Sequence, residues 1–315
     1  MEETPVPPLR GRAIPGWAIG IALVVACSGA SCYPSLVCQL PPEPTLAGVQ
    51  ATVDGNAELV HSILVRDAKI SGRAQGQFIP SLKARIALER PHRFRMIAEM
   101  PVVGREAADL GSNDQEFWFW LEQNQPPGLY FIRHDDYARA AGRLPIPFDP
   151  YWVVEALGVS PLGDGVTYDG PVSSAPGRLQ LRRVSTSPQG EQVTKVVRVD
   201  NCTGWVREQY LYDANGDLLA SAVTSDHQRD ASYGAIVPRR VQLEWPQQRL
   251  SLDIRLRDVQ VNEDLSTSPD LWQKPVRHDV PQRDLFDAVR SVLPPAIPPR
   301  ETQRPSLDAM GPVGP

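Results

Sequence analysis

The chain has 315 residues, and its 37 acidic and 32 basic side chains give a formal net charge of −5. This balance argues against a nucleic-acid partner, because such proteins present a basic patch and no run of basic residues dominates here. About 230 residues lie between Pro44 and Trp272, enough for one large domain or two small ones. Four cysteines are too few for disulfide bonds to determine such a fold.

The N-terminal segment has the pattern of a secretion signal. Arg10 and Arg12 precede an apolar run over residues 14–26, which is shorter than the roughly 20 apolar residues of a membrane-spanning helix. Val24-Val25-Ala26-Cys27 resembles the lipobox of bacterial lipoproteins, in which the cysteine thiol is acylated and becomes the first residue of the mature protein. The resemblance implies that Cys27 is the site of lipid attachment. A plain cleaved signal and an uncleaved N-terminal anchor are the alternatives.

The lipobox divides the N-terminal region into two parts. We assign a signal peptide to residues 1–26 and a proline-rich tether to residues 27–45, which would hold the folded domain away from a membrane. With the lipobox cysteine modified, Cys32 and Cys38 are close enough in sequence to bridge in an oxidising compartment. That pairing leaves Cys202 alone.

The hydrophobic pattern changes from helical to alternating near Lys69. Thr45 can cap a helix that runs to about Leu64, because the apolar residues of this segment lie mostly on one stripe. From Lys69 onward, apolar and polar residues alternate, which is typical of antiparallel strands with one apolar face. A second short helix is expected from Asp149, its cap, to Gly158, where it stops. The predicted strands lie near residues 82–88, 94–98, 106–111, 116–121, 128–133, 179–184, 193–199, 206–212, 218–224, 235–245 and 249–256.

About eleven strands with two helical inserts predict a mainly β fold with some α-helix. The expected architecture is a half-open antiparallel β-barrel covered by helices, over residues 46–273. Residues 274–315 are rich in proline and arginine and are expected to form a largely disordered tail. One short stretch of this tail is amphipathic and offers a docking surface for a protein partner; its apolar residues are Leu285, Phe286, Val289 and Val292.

Four segments resemble the LolA/LolB family of lipoprotein carriers and their lipid-carrier relatives. Leu88–Met96 contains an Arg-Pro pair followed by alternating aromatic and basic residues, as in one strand of the family. Asn113–Trp120 is similar to the next strand, in which an aspartate turn precedes a run of aromatic residues. Pro238–Leu243 and Val259–Asn262 resemble the last strands. The likeness extends in order over residues 46–273.

The resemblance implies a half-open barrel, closed by helices, whose apolar cavity holds acyl chains. LolA is a soluble periplasmic shuttle, and its partner LolB is a lipid-anchored outer-membrane receptor of the same fold. A lipobox on this fold implies the receptor or fixed-carrier branch, in the bacterial envelope, and Ser28 favours delivery to the outer membrane, facing the periplasm. The implied partners are acylated lipoproteins or envelope lipids, together with the membrane that holds the N-terminal lipid.

The family pattern also indicates candidate cavity residues. Arg90 aligns with the family arginine that holds the helical lid through hydrogen bonds to backbone groups, and a guanidinium offers five donors in a fixed fork. Phe94 and Met96 on one strand, and Phe117 and Phe119 on a later strand, are candidates for lining the cavity. Consecutive aromatics make both faces of the latter strand apolar, so one face can meet the cavity and the other a covering helix. A solvated arginine and an ordinary two-sided core strand are the alternatives.

The turn Met100–Gly104 places two apolar residues side by side. In the receptor branch, a loop at this position has an exposed apolar residue that touches the membrane. Val102 and Val103 are therefore the candidate membrane contact, and a buried turn is the alternative.

Signatures of enzymes and metal sites are weak. Gly158–Gly163 misses the spacing of a nucleophile elbow by one residue. His134, Asp135 and Asp136 can begin a metal site, but the other histidines show no ligand spacing, which favours a solvated loop. We therefore expect no catalysis, no cofactor and no metal.

Taken together, these patterns predict a lipid-anchored envelope protein that binds the acyl chains of lipoproteins or envelope lipids, as acceptor or fixed carrier, without catalysis. The alternative is a non-enzymatic envelope sensor or scaffold on the same fold, which recruits a partner through the C-terminal tail. An envelope hydrolase is a third possibility.

Overall fold

The computed structural model describes residues 38–140, 150–163, 166–186 and 191–290. The predicted signal peptide, Cys27, Cys32 and most of the tether lie outside the described residues, as do residues 291–315. No helix in the described ranges is long and apolar enough to cross a membrane.

The helices are α1 (Leu46–Glu58), α2 (His134–Ala140), α3 (Pro150–Glu155) and α4 (Leu285–Arg290), with a 3₁₀ helix at Pro269–Trp272. The strands are β1 (Ser62–Ala74), β2 (Gln77–Glu89), β3 (Arg93–Glu99), β4 (Glu106–Ser112), β5 (Glu116–Leu121), β6 (Leu129–Arg133), β7 (Asp169–Ala175), β8 (Arg178–Thr186), β9 (Gln192–Asp200), β10 (Val206–Tyr212), β11 (Leu218–Ser225), β12 (Gln228–Arg229), β13 (Ile236–Val237), β14 (Arg240–Trp245), β15 (Leu250–Val261) and β16 (Gln282–Asp284).

Fourteen strands form one sheet in the order β16-β6-β5-β4-β3-β2-β1-β15-β14-β11-β10-β9-β8-β7, and β12 pairs with β13 separately. Neighbouring strands of the large sheet are antiparallel except β16, which runs parallel to β6. Within the described residues, the edge strands β16 and β7 do not pair with each other, so this large curved sheet is not closed into a barrel. The predicted mainly β fold is confirmed, with more strands than the sequence pattern indicates.

The first helix is shorter than its apolar stripe predicts. It ends at Glu58 rather than near Leu64, and β1 begins at Ser62. Ile63 fits the helical stripe, but it is paired in register with both β2 and β15, and β-branched residues favour strands over helices. The side-chain oxygen of Asn262 accepts a hydrogen bond from the backbone N–H of Ser62 at 3.2 Å, which holds the chain where helix gives way to strand.

Part of the segment assigned to the tail is folded. β16 pairs with β6, and α4 follows it directly. Leu285 and Phe286 are only 2% and 3% exposed, because they pack in the main apolar cluster of the sheet. Their burial in the chain's own core removes both side chains from the docking surface that the sequence suggests.

The main apolar cluster defines the inner face of the sheet. It combines alternate residues of β1–β6, β11, β14 and β15 with side chains of α3 and α4. Trp152 of α3 lies in this cluster with its ring centroid 5.5 Å from that of Trp245, in an edge-to-face arrangement. A second cluster packs Val49 and Val53 of α1 against β8, β9 and β10. Thr45 caps α1 as predicted, since its hydroxyl accepts the N–H of Gly48 at 3.1 Å.

The residues after β15 cross the outer face of β3–β6, and we call residues 265–280 the strap. Trp118 and Trp120 point to this face and are buried. The ammonium of Lys274 lies 3.5 Å from the ring centroid of Phe131. The guanidinium of Arg277 lies 3.6 Å from that of Trp120. Both faces of β5 are thus covered as expected, but the outer cover is an extended strap with a single 3₁₀ turn instead of a helix.

Cys38 and Cys202 are both disulfide-bonded, so the expectation that Cys202 stays alone is wrong. Cys202 lies in the tight turn between β9 and β10, where its N–H donates to a carboxylate oxygen of Asp200 at 3.1 Å. Its carbonyl accepts hydrogen bonds from the backbone of Gln39 and Leu40 at 2.8 and 3.0 Å. Short sequence separation is a poor guide to pairing here, because the fold brings the chain before α1 against this distant turn.

Candidate ligand-binding site

The inner face presents a row of side chains across β2–β5. The strand register aligns Leu88, Phe94, Ser112 and Phe117, and residues paired in this way point to the same face of a sheet. The three apolar members belong to the main cluster and are 1%, 5% and 2% exposed. Ser112 is much smaller than its two aromatic neighbours, so the row has a depression at its centre.

A second row lies one step further into the sheet. Met96, Leu110 and Phe119 are aligned across β3–β5, all in the main cluster. Phe119 stacks on Tyr130 of β6 with ring centroids 5.1 Å apart and an interplanar angle of 8°. Phe94, Met96, Phe117 and Phe119, the four cavity candidates, therefore occupy adjacent rows of one apolar face.

A cavity of about 590 Å³ opens beside the first row, at the end of the sheet where β2 turns into β3. Ser112 contributes to its wall, and Arg90, Pro91 and His92 of the β2–β3 turn form one side. The opposite side is formed by α3 and the segment after it. This volume lies within the range of about 300–1,000 Å³ that is typical of small-ligand sites.

The short helix α3 covers the cavity, and its limits follow the sequence signals. Pro150 occupies the first helical position, and Gly158 ends the segment with a φ of +69°, a conformation that glycine adopts readily. Two inner-face groups hold the end of α3: the ammonium of Lys195 lies 2.5 Å from the Glu155 carboxylate, and the side-chain amide of Gln209 donates to the Glu155 carbonyl at 2.8 Å.

Arg90 lies at the cavity, but its side chain makes no hydrogen bond or ion pair with another described residue, although its backbone N–H donates to the His61 carbonyl at 3.0 Å. Charged side chains near Arg90 form ion pairs with each other. Glu89 lies 3.5 Å from Arg93, which also donates to Asp114 at 2.8 Å. This hydrogen bond lowers the pKa of Asp114 from its usual value.

Three histidines lie at the cavity: His61, His92 and His134. His134 begins α2 rather than a solvated loop, and its Nε2 lies 2.6 Å from the carbonyl oxygen of Asn113. The rings of His92 and His134 are tilted, with centroids 6.0 Å apart. In the part of the chain that the structure describes, no group of three or more His, Cys, Asp or Glu side chains is placed to hold a metal ion.

The candidate membrane contact lies in a turn at the opposite end of these strands. Val102 and Val103 are 96% and 68% exposed, in the turn between β3 and β4. The N–H of Gly104 closes the turn by donating to the Met100 carbonyl at 2.9 Å. Both side chains are therefore exposed, in contrast to the alternative in which the turn is buried.

No family model matches the chain, and no curated protein is similar to it at a significant level. The solved structures to which the chain is similar include a DUF1329 family protein from Desulfovibrio piger, which is 13% identical with a TM-score of 0.48 and matches 72% of this chain and 99% of its own. A domain assigned to outer membrane lipoprotein sorting, from Vibrio parahaemolyticus, is 10% identical with a TM-score of 0.47, over 70% of this chain and 95% of its own. A LolA superfamily protein from Nitrosomonas europaea is 13% identical with a TM-score of 0.46, over 72% of this chain and 97% of its own.

At this level of similarity, the matches contain no information about a ligand of this chain. Its function is therefore argued from its own residues.

Proposed function

We propose that the chain is a lipid-anchored protein of the bacterial envelope that binds acyl chains on the inner face of its sheet, as an acceptor or fixed carrier without catalysis. In this proposal residues 1–26 are a signal peptide, Cys27 is acylated, residues 27–45 are a tether, and the protein faces the periplasm from the outer membrane. The ligands are the acyl chains of lipoproteins or of envelope lipids.

One observation supports the proposal most directly: a cavity of about 590 Å³ lies beside the first row of buried apolar side chains, with Ser112 of that row in its wall and α3 on its opposite side. Each methylene that leaves water contributes about 0.8 kcal/mol, so an acyl chain gains much from such a face. The inner face is already filled by Phe94, Phe117 and the side chains of α3. An acyl chain would therefore enter by displacing α3 and replacing its contacts with the same rows.

Native mass spectrometry of the gently purified full chain tests this proposal. A co-purifying amphiphile is expected in the unmodified chain, and the variant Ser112→Phe, which fills the depression in the first row, should retain at least tenfold less. A loss of contact with about two methylenes is enough for such a change. Ser173→Phe, at an exposed position of β7, is the matched control and should bind as the unmodified chain does. Equal lipid content in all three proteins would contradict an inner-face site.

The alternative sensor or scaffold function depends on the amphipathic stretch of the C-terminal tail. Leu285 and Phe286 of this stretch are buried in the core, so the observation that favours that function is weakened. Depletion of the protein distinguishes the two functions. Loss of a carrier should leave lipoproteins or lipids in the wrong membrane, whereas loss of a sensor should change only a response.

A further inference from the structure

The outer face of β15, β1 and β2 contains three cations in one row. The register places Lys69 between Arg255 of β15 and Lys83 of β2, and all three residues are exposed. Arg255 lies 3.9 Å from Asp253, whereas neither lysine has an ion pair among the described residues. Glu99 of β3 lies opposite Lys83 at one end of the row, but Lys69 has a cation on each side. Like charges directly opposite each other destabilise a sheet, so the stability of the fold does not explain a lysine at position 69.

An exposed aromatic residue lies on the same face. Phe78, near the tip of the β1–β2 hairpin, is 71% exposed and is aligned with Arg73. Arg73 and Lys69 alternate with inward-facing Ile70, which is buried in the main cluster, so both cations point outward. The hairpin therefore presents an apolar ring beside two cations that form no ion pair with a described residue.

The exposed valine turn lies at the same end of the sheet. Glu99, the last residue of β3, is aligned with Lys83, so β2 extends past β3 toward the hairpin tip. The turn that contains Val102 and Val103 consequently lies beside the projecting part of β2. A groove of about 330 Å³ lies further along these strands, and its wall includes Lys83, Arg85 and Glu99.

We infer that this surface, the hairpin face (Lys69, Arg73, Phe78 and Lys83), docks on a lipid surface with anionic headgroups. The chain as a whole has a net charge of −5, so an anionic membrane is attracted to this face specifically and not to the protein in general. A basic residue near such a surface contributes about 1 kcal/mol, and aromatic rings favour the membrane interface. The inference goes beyond the proposed function, because it does not depend on the inner-face cavity or its ligand.

Hydrogen exchange of the full chain in bilayers tests this docking at the residues concerned. We expect amides of residues 75–79 and 102–104 to exchange about fivefold more slowly in phosphatidylcholine mixed with phosphatidylglycerol than in phosphatidylcholine alone. High salt should remove the difference, because it screens the attraction.

The variant Lys69→Glu separates docking from folding. It should abolish the difference between the two bilayers while the Tm stays unchanged or rises, because a glutamate between Arg255 and Lys83 replaces repulsion by attraction. Lys69→Arg should preserve the protection. Arg182→Glu is the matched control, with the same change of charge at an exposed position of β8, and it should also preserve the protection.

Three results would overturn the inference. Exchange that is equal in the two bilayers would show that anionic lipid does not bind this face. Protection that persists in Lys69→Glu would show that the cations are not involved. Protection that appears only after a second protein is added would identify the face as a protein interface.

Discussion

Arg95 and Asp109 form an ion pair on the outer face, beneath the strap, with a guanidinium nitrogen 2.7 Å from a carboxylate oxygen and side chains only 9% and 2% exposed. Arg95 also donates to the carbonyl of Gln273 at 2.6 Å, so the pair joins the strap to β3 and β4. Burial raises the pKa of Asp109, although Arg95 beside it acts to lower it. The carboxylate is therefore costly to bury and depends on its partner.

Removing one member of this pair should cost more than removing both. Asp109→Leu leaves the Arg95 guanidinium buried without its counter-charge, which costs about 3–5 kcal/mol in the free energy of unfolding. In the double variant Arg95→Met, Asp109→Leu, no buried charge is left unpaired, and we expect a smaller loss than in Asp109→Leu alone. Urea unfolding of the single and double variants measures the difference. Additive losses would show that the two charges do not interact.

His227 forms a second buried polar contact on the sheet. Its Nδ1 lies 2.9 Å from Arg207, whose guanidinium can only donate, so the other nitrogen, Nε2, holds the proton and donates to the Val206 carbonyl at 3.1 Å. The ring also stacks on Trp205, with centroids 5.2 Å apart. Burial, together with the positive charge of Arg207, lowers the pKa of His227 to about 4.

This shift predicts that stability falls in mild acid. Below the unfolded-state pKa of 6.5, His227 gains a proton in the unfolded chain but remains neutral in the fold until the pH approaches 4. The free energy of unfolding should therefore decrease between these two values, by about 3 kcal/mol in all. Urea unfolding across this pH range measures the slope.

His227→Gln should flatten that dependence on pH, because the titrating group is gone. His278→Gln removes an exposed histidine and is the control that should keep the slope of the unmodified chain. An unchanged slope in His227→Gln would exclude this residue as the cause.

The strands and their inward faces follow from the sequence, but the cover of the outer face does not. Alternation of apolar and polar residues predicts β3 and β5 closely, and the run from Phe117 to Trp120 indicates that both faces of β5 are covered. The cover itself depends on Lys274 and Arg277, which stack on aromatic rings of β5 and β6. In sequence, this proline- and arginine-rich segment looks like a tail, because its partners lie more than a hundred residues away.

The residues of the candidate site, too, are predicted only in part from the sequence. Local pattern and family resemblance indicate Phe94 and Phe117, which the structure places in one row. Ser112 is not among the residues predicted from the sequence, although this polar residue interrupts the apolar pattern at the end of β4. Glu155 and its contact with Gln209 had no signal in the sequence, because they depend on the position of α3 against strands formed by a later part of the chain.

Gly111 of β4 is required by the tryptophan beside it. A Cβ atom at this position would lie 2.2 Å from Cζ2 of Trp118, whose side chain is fully buried. Gly111→Ala should therefore lower the free energy of unfolding by at least about 1–3 kcal/mol, as overpacking does. Gly55→Ala in α1 is the contrasting control: its Cβ would meet nothing within 4 Å, so alanine should stabilise the helix by about 0.5–1 kcal/mol. Equal effects of the two substitutions, measured by thermal unfolding, would contradict this packing.

The position of α3 beside the cavity depends on what holds its C-terminal end. The family resemblance assigns that role to Arg90, but the described polar contacts at the end of α3 come from Lys195 and Gln209, which bind the carboxylate and the carbonyl of Glu155. Gln209→Leu leaves that carbonyl without its donor at nearly constant volume. Losing a hydrogen bond worth about 1 kcal/mol should make amides of residues 154–158 exchange roughly fivefold faster.

Two further variants make the test specific. Lys195→Met should have a similar effect on hydrogen exchange of α3, because it removes the other contact of Glu155. Arg90→Ala should leave both the exchange of α3 and the Tm unchanged, since no described hydrogen bond of its side chain is lost. If Arg90→Ala loosens α3 and Gln209→Leu does not, the arginine holds the cover as in the family, and the contacts of Glu155 are incidental. If the reverse is found, opening of the cavity is controlled from β9 and β10, on the far side of α3 from the β2–β3 turn.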